Sequence, residues 1–226
     1  DGGARTLELQ VIEPIRNPLE MDTTLESVRA RLATDPELVA LFEQAYGEGP
    51  SEFTIPRALA SFVRSLLSGQ SAWDRYRRGE HLALSDSAAR GLELFNGERA
   101  ECFHCHVGFN FTNNSFRNNG GRADDPDVGR EKLTGKASDR GKFKVPSLRN
   151  VAVTAPYMHD GSLATLDAVI DRYVAGGLGH PNTDPVVFPL DLTDSEKADL
   201  KAFLESLTDP EFLSEPSFAD PASAAL

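Results

Sequence analysis

The chain has 226 residues, of which 40 % are hydrophobic and 26 % charged, which is enough to build one good hydrophobic core. Its formal net charge of −12 argues against a nucleic-acid partner. It contains no run of about 18 apolar residues, so the sequence predicts no membrane span.

Apolar periodicity predicts a mainly α fold with long irregular loops and no internal repeat. Two capping boxes, Thr23 to Glu26 and Thr193 to Glu196, predict the starts of two helices that end near Ala33 and Leu207. Further helices are predicted over residues 36–46, 55–67 and 85–96. The polar stretch 108–145 is predicted to be loop with a short two-stranded ribbon, and the Pro/Ala/Ser-rich residues from Glu215 on are predicted to be an extended tail.

The most informative motif is Cys102-Phe103-His104-Cys105-His106, which holds both cysteines of the chain. The pattern C-x-x-C-H is typical of covalent attachment of a c-type haem. Each thiol can add across one vinyl group of the porphyrin, and the histidine that follows is then held close to the iron. We therefore predict that Cys102 and Cys105 anchor haem c and that His106 binds its iron. His104, between the two anchors, is expected to face solvent or the haem propionates.

Two other interpretations of the cysteine pair have less support. A redox disulfide of this spacing usually occurs in a βαβ context, and no such alternation is visible. A zinc site needs four ligands, and the chain has no second cysteine pair or closely spaced histidine pair to complete one.

The ligand on the other face of the iron decides what such a haem does. A methionine suits electron transfer, an open face admits peroxide or oxygen, and an anionic phenolate favours higher oxidation states. The candidates downstream of the motif are Met158, His159, Tyr173 and His180.

Tyr173 lies on a predicted helix whose N-cap is Thr165. Leu166, Val169, Ile170 and Tyr173 follow the helical spacing and share one apolar face. The spacing alone favours an ordinary core tyrosine, since buried aromatic side chains normally pack in a core.

Several segments resemble, in the same order, the C-terminal half of the bacterial di-haem cytochrome c peroxidases and their MauG-type relatives. The resemblance covers nearly all of residues 1–210 and implies a cytochrome c-like helical domain. It rests on residues 1–10 with 17–21 (NPLEM), 91–95 (GLELF), 111–116 (FTNNSF), 143–151 (FKVPSLRNV) and 154–166, which begin TAPYMHDGS.

This resemblance implies that Tyr173 is the second iron ligand. Counted forward from Thr154, Tyr173 occupies the position where the peroxidases carry Met and the MauG-type enzymes carry Tyr. Met158 stays an alternative ligand, at a turn position that is often Phe in the family. The family pattern also suggests that Arg149 and His159 contact the haem propionates.

The first residues resemble the family segment that lines the distal face of a second, N-terminal haem, with Gly3 in place of the usual Arg. The attachment motif of that haem lies outside this sequence, so the resemblance implies a separate N-terminal haem-bearing half. Glu20 would be the general acid/base for peroxide, Gln10 would orient the peroxide, and Pro14 would shape the pocket. Judged from the residues alone, Glu20 is instead a charge ahead of a helix start.

The resemblance further implies a calcium ion between the two haems. Its ligands from this chain would be the backbone carbonyls of Thr154 and Pro156, with an asparagine of the missing half and water. The residues alone predict only a turn there. The acidic stretch Asp124 to Asp127 lacks EF-hand spacing and is interpreted as a solvated loop.

Three segments are therefore expected: 1–80 along the distal side of the N-terminal haem, 81–210 as the cytochrome c-like domain, and 211–226 as a tail. Haem attachment of this type implies the bacterial periplasm. Because no signal peptide opens the sequence, we expect that the native N-terminus has been removed.

The leading functional hypothesis is a MauG-like enzyme in which hydrogen peroxide creates a high-valent two-haem state that oxidises Trp or Tyr residues of a partner protein. The first alternative is a di-haem cytochrome c peroxidase that reduces peroxide with electrons from a small cytochrome. The second is a mono-haem electron-transfer cytochrome c.

Overall fold

The computed structural model describes residues 1–219. The predicted extended tail begins within a short helix, Pro210–Leu213, and includes a 3-10 turn, Pro216–Phe218, and its part beyond Ala219 lies outside the described residues. The described chain is mainly helical, as predicted. Packing divides it into an N-terminal unit, Gly3–Leu67, and a C-terminal unit, which comprises Asp1–Gly2 and the chain from Ser68 on. The boundary predicted at residue 80 marks an expected change of role, from the distal side of the N-terminal haem to the cytochrome c-like domain, and it stays a prediction. The packing boundary lies between Leu67 and Ser68.

The N-terminal unit contains five helices around a small apolar core. Ile15, Leu25 and Ile55 form that core and are each at most 5 % exposed. The helices are α1 (Leu7–Gln10), α2 (Glu13–Arg16), α3 (Leu25–Leu32), α4 (Pro36–Tyr46) and α5 (Thr54–Ser65).

The start of α3 differs from the predicted capping box. Thr24, not Thr23, is the N-cap, and its hydroxyl accepts a hydrogen bond from the Ser27 backbone N–H at 3.1 Å. The prediction was wrong by one residue because two threonines stand side by side, and the second, whose backbone is extended, is the N-cap.

The C-terminal unit holds six helices and one short antiparallel ribbon within the described chain. The ribbon pairs Phe116 with Lys144 and Arg117 with Phe143, inside the stretch where the sequence predicted one. The elements are α6 (Ala72–Arg77), α7 (Asp86–Asn96), β1 (Phe116–Arg117), α8 (Glu131–Thr134), β2 (Phe143–Lys144), α9 (Leu166–Val174), α10 (Asp194–Glu205) and α11 (Pro210–Leu213). The predicted capping box of α10 is confirmed, because Thr193 and Glu196 cap each other's backbone N–H groups.

Helices α7 and α10 form the centre of the C-terminal core. Phe203 of α10 is fully buried and packs on Phe95 of α7, with ring centroids 5.0 Å apart. Gly91 permits this close crossing, since a Cβ at that position would lie 1.9 Å from the Asp199 carbonyl oxygen. Trp73 packs edge-on against Phe111, with ring centroids 4.7 Å apart, and belongs to the same core. This core supports the segment that carries the cysteines.

Candidate haem site

The C-x-x-C-H motif forms a compact turn directly after α7. Cys102–His104 is a 3-10 turn, and the His106 N–H donates to the Cys102 carbonyl at 3.0 Å. Asn113 holds the turn from outside: its side chain donates to the His104 carbonyl at 3.0 Å, and its backbone N–H donates to the Cys105 carbonyl at 2.9 Å. Both thiols are free and both border one cavity.

His106 is oriented as an iron ligand would need to be. Its Nδ1 lies 2.9 Å from the Phe111 carbonyl oxygen, which fixes Nδ1 as the protonated nitrogen and leaves the Nε2 lone pair free. Burial lowers the pKa of His106, while its hydrogen bonds to Phe111 and Pro146 oppose that shift. The ring is therefore neutral at neutral pH, the form that binds a metal.

The cavity next to the motif has a volume of about 460 Å³, within the usual range for a cofactor pocket. Most of its wall is apolar and comes from α9, α10 and the segment after β2. Cys102, Cys105, His106, Tyr173 and Met158 all border it. The structure thus brings both predicted anchors, the predicted proximal ligand and three of the four candidate second ligands (Met158, His159 and Tyr173) to one space.

Helix α9 presents Tyr173 to this cavity in the way the sequence predicted. Thr165 is the N-cap, with its hydroxyl accepting from the Ala168 N–H at 3.2 Å. Leu166, Val169 and Ile170 border the cavity on the same helix face as Tyr173. Burial raises the pKa of Tyr173, and a hydrogen bond from Asn119 partly opposes that rise. Its phenol therefore stays protonated unless a cation stabilises the anion.

Of the two predicted propionate contacts, one borders the cavity. His159 lies at its edge, stacked on Phe143 at 3.9 Å with Nε2 3.1 Å from Asp125 Oδ2. Arg149 is not among the cavity-lining residues, since its guanidinium is bound to Asp74 and to the Phe109 carbonyl.

Two other histidines weighed in the sequence lie away from the iron-binding space. His180 is buried, and its Nδ1 lies 3.0 Å from the Asn118 amide nitrogen and accepts from the Asn182 N–H, so it is held in a structural network. His104 is exposed and pairs with Glu101 at 3.3 Å.

Thr154 and Pro156, the predicted calcium ligands, both border the same cavity. The Thr154 hydroxyl donates to the Val151 carbonyl at 3.1 Å, so its side chain is used locally. Calcium takes six to eight oxygen ligands, of which two carbonyls supply only a part. The calcium site stays a prediction.

The three residues predicted to act on peroxide all lie in the N-terminal unit. Gln10 is the exposed last residue of α1, and Pro14 lies in α2. Glu20 stands in the turn that follows, where its Oε1 accepts from the Asn17 side chain at 2.6 Å. The Met21 N–H donates to the Pro14 carbonyl at 3.1 Å, so the turn that holds Glu20 folds back on α2.

Sequence reasoning missed three polar residues at the cavity. Arg117 and Lys144 border it from the two ribbon strands, and Asn119 borders it beside Tyr173. Arg117 also pairs with Asp184 at 2.6 Å. The sequence predicted a ribbon in this stretch but not its register, so it did not place these two cations at the cavity. Nothing in the sequence marks Asn119.

The donor set fits a haem c. Two free thiols and an imidazole whose Nδ1 is held by the Phe111 carbonyl border a largely apolar cavity, and a tyrosine and a methionine border the same space. In addition, Arg117 and Lys144 line the cavity and carry the charge that suits the propionates of a haem. This donor set is the one expected of a c-type cytochrome domain.

Comparison with known proteins narrows this class. Residues 1–82 match the family described as di-haem cytochrome c peroxidase. The chain is 39 % identical to the methylamine utilization protein MauG of Methylorubrum extorquens, over 92 % of this chain and 59 % of that protein. It is 34 % identical to the cytochrome c peroxidase Ccp of Escherichia coli, over 92 % of this chain and 44 % of that protein.

A solved structure is also similar to this chain and carries a MauG-like name. The crystal structure of a MauG-like protein associated with microbial copper homeostasis superposes with a TM-score of 0.91 at 35 % identity, and the match covers 98 % of this chain and 74 % of that chain. The chain therefore belongs to the di-haem cytochrome c peroxidase/MauG family, as the sequence resemblance indicated. It spans about half of the two curated relatives, 59 % and 44 % of their lengths.

Within residues 1–219, no helix combines the length and the apolar character needed to cross a membrane.

Proposed function

We propose that this chain is the C-terminal haem part of a periplasmic di-haem enzyme that uses hydrogen peroxide to oxidise Trp or Tyr residues of a partner protein, in the manner of the MauG branch. The observation that carries the proposal is that Tyr173 and His106 border one cavity beside both cysteines. A Tyr/His pair gives the iron an anionic ligand, which favours higher oxidation states over simple electron transfer.

When bound, the haem supplies the capacity to take up and release oxidising equivalents. Cys102 and Cys105 would anchor it by thioether bonds, and His106 would offer Nε2 while the Phe111 carbonyl holds Nδ1–H. Tyr173 would be the second protein group offered to the iron, so peroxide is expected to react elsewhere. That place is a second haem held by an N-terminal haem-bearing half outside this sequence.

The N-terminal unit would supply the groups that act on peroxide. Glu20 would take a proton from the incoming peroxide oxygen and return it to the departing one. Gln10 would orient peroxide by hydrogen bonds, and Pro14 would limit the space. Calcium held by the Thr154 and Pro156 carbonyls would bridge the two haem-bearing parts.

A second candidate function is a di-haem cytochrome c peroxidase that reduces peroxide with electrons from a small redox protein. The observation that favours it is Met158, which borders the same cavity as Tyr173 and carries a thioether suited to haem iron. The relative named MauG and the one named cytochrome c peroxidase have similar sequence identity to this chain, 39 % and 34 %. Sequence identity alone therefore does not separate the two functions.

The ligand is tested with Tyr173→Phe in the haem-loaded protein together with its N-terminal half. We expect loss of the tyrosinate-to-iron charge-transfer signature in the ferric spectrum and loss of oxidation of the partner protein. Tyr157→Phe is the matched control, since Tyr157 also borders the cavity but donates its hydroxyl to the Val151 carbonyl at 2.9 Å. An unchanged spectrum in Tyr173→Phe would refute the ligand assignment, and a spectrum changed only by Met158→Leu would favour the peroxidase.

Turnover separates the two functions. Brisk steady-state reduction of peroxide by a reduced small cytochrome favours the peroxidase, whereas slow turnover with oxidised Trp or Tyr in a partner protein favours the MauG-like enzyme. Glu20→Gln should slow the reaction with peroxide by about 10²–10⁴-fold. The control Glu13→Gln changes another exposed carboxylate of the same unit and should leave the rate unchanged.

A further inference from the structure

Asn119 contacts both candidate iron ligands with a single amide nitrogen. Its Nδ2 lies 3.4 Å from Tyr173 Oη and 3.3 Å from Met158 Sδ. Within residues 1–219, no other hydrogen bond reaches either of these two atoms. An amide NH₂ group has two hydrogens, so Asn119 can donate to both acceptors at once.

The backbone on both sides of Asn119 is held firmly, so the direction of its side chain is set by the fold. Asn118 is 1 % exposed, donates to the Arg140 carbonyl at 3.1 Å, and accepts from the Gly120 N–H at 2.9 Å. The Gly120 carbonyl in turn accepts from the Leu178 N–H at 2.7 Å. These bonds fix the chain immediately before and after Asn119.

The two acceptors differ in what they gain from an N–H donor. A thioether sulfur is a weak acceptor in any state. A phenol oxygen becomes a charged acceptor when it ionises, and hydrogen bonds to charged groups are about twice as strong as neutral ones. Asn119 therefore stabilises Tyr173 as an anionic ligand much more than it stabilises Met158 as a neutral one.

We infer that Asn119 is the positioning residue that selects Tyr173 over Met158 as the second ligand of the haem iron. This inference rests on the proposed function, because it requires that Tyr173 binds the iron. Asn119 acts through the phenolate oxygen: its N–H withdraws electron density from that oxygen and keeps the charged form favourable in an apolar cavity. Its second N–H donates to the Met158 sulfur, a weak acceptor that gains little from the contact.

The test replaces Asn119 with leucine, which has a similar volume and no donor, in the haem-loaded protein with its N-terminal half. The ferric optical and resonance Raman spectra are recorded. We expect the tyrosinate-to-iron charge-transfer band to move to lower energy, since the oxygen regains electron density. We also expect the ratio of Met158-ligated to Tyr173-ligated iron to rise about tenfold. The double variant N119L/M158L should keep the band shift and lose any methionine signature.

Two controls keep the result interpretable. Asn96→Leu makes the same change at an exposed position at the end of α7 that does not border the cavity, and it should leave the spectrum as in the parent protein. Asn119→Ala repeats the test with a smaller side chain if leucine reduces haem content.

The outcomes separate this inference from the proposed function. If Y173F changes the spectrum while N119L and N119A match N96L, then Asn119 has no selecting role and the inference is overturned, although Tyr173 remains the ligand. If Y173F itself matches the parent protein, the ligand assignment fails and the inference fails with it.

Discussion

Arg149 and Asp74 form a buried bidentate ion pair inside the C-terminal unit. Arg149 Nη1 donates to Asp74 Oδ2 at 2.8 Å, and Nη2 donates to Oδ1 at 2.9 Å. The same guanidinium donates through Nε to the Phe109 carbonyl at 2.7 Å and lies 4.0 Å from the centre of the Phe109 ring. Arg149 therefore ties the loop after the C-x-x-C-H motif to helix α6.

Asp74→Ala should lower the free energy of unfolding by about 3–5 kcal/mol, because it leaves the Arg149 guanidinium buried without its counter-charge. Chemical denaturation of the haem-loaded chain measures this change. Arg122→Ala, which breaks the exposed pair with Asp124, is the control and should cost less than about 1 kcal/mol. If the two substitutions lower the free energy of unfolding equally, the buried pair contributes no more to stability than the exposed pair, and the prediction fails.

The pH dependence of stability should depend strongly on Asp209, which is 1 % exposed. Burial alone would raise the pKa of Asp209, but N–H groups of Phe212, Gln70 and Gly69 and the Ser68 hydroxyl donate to its carboxylate and bring its pKa below the ordinary value. A carboxyl with a depressed pKa in the folded state stabilises the protein above its unfolded pKa of about 3.9. That stabilisation is lost as the pH falls through the lower, folded pKa.

Asp209→Asn should therefore flatten the loss of stability below about pH 4. It should also destabilise the protein at neutral pH by about 1–3 kcal/mol, since an amide NH₂ would face N–H donors that need an acceptor. Unfolding midpoints measured from about pH 2 to 7 check both effects. A variant whose acid limb is as steep as that of the parent would show that other carboxylates carry the pH dependence. Asp124→Asn, at an exposed position, should leave that limb nearly unchanged.

The local part of this fold follows from the sequence. The N-cap Thr165 and the apolar face of α9 were readable because both depend on residues within two turns of one another. The same holds for the capping box of α10. Helix α6 was missed because its capping box, Ser71 with Asp74, has Asp where the usual pattern has Glu or Gln.

The long-range part of the site does not follow from the sequence. The charge of Arg149 suggested a propionate contact, but its partner Asp74 is 75 positions away and no local pattern connects them. Asn119 has a neighbour of the same type, Asn118, and only the fold shows that one is buried in a structural network while the other reaches Tyr173 and Met158. The resemblance predicted Tyr173 as a ligand because a single residue on one helix can be matched by counting, whereas contacts between separate segments cannot.

Gly91→Ala should destabilise the C-terminal unit although alanine is the better helix former. The gain in helix propensity is about 1 kcal/mol. The new Cβ would lie 1.9 Å from the Asp199 carbonyl oxygen and 2.9 Å from Phe203 Cβ, so α7 and α10 must move apart. Overpacking of this kind costs about 1–3 kcal/mol or more. Gly121→Ala is the control, because a Cβ there meets nothing within 4 Å. A G91A variant as stable as G121A would contradict the close crossing.

Asn113→Ala should loosen the turn that carries the haem anchors. The variant removes the donor to the His104 carbonyl at 3.0 Å and the acceptor that serves the Ser115 N–H at 3.0 Å and its hydroxyl at 2.7 Å. Because these groups are partly exposed and water can replace some of the bonds, we expect a loss of about 1–2 kcal/mol in stability. The backbone bond from the Asn113 N–H to the Cys105 carbonyl persists but should open more often, which hydrogen exchange at that amide measures. Asn96→Ala changes an exposed asparagine of the same unit and should alter neither quantity, so the two variants differ only if Asn113 holds the motif in place.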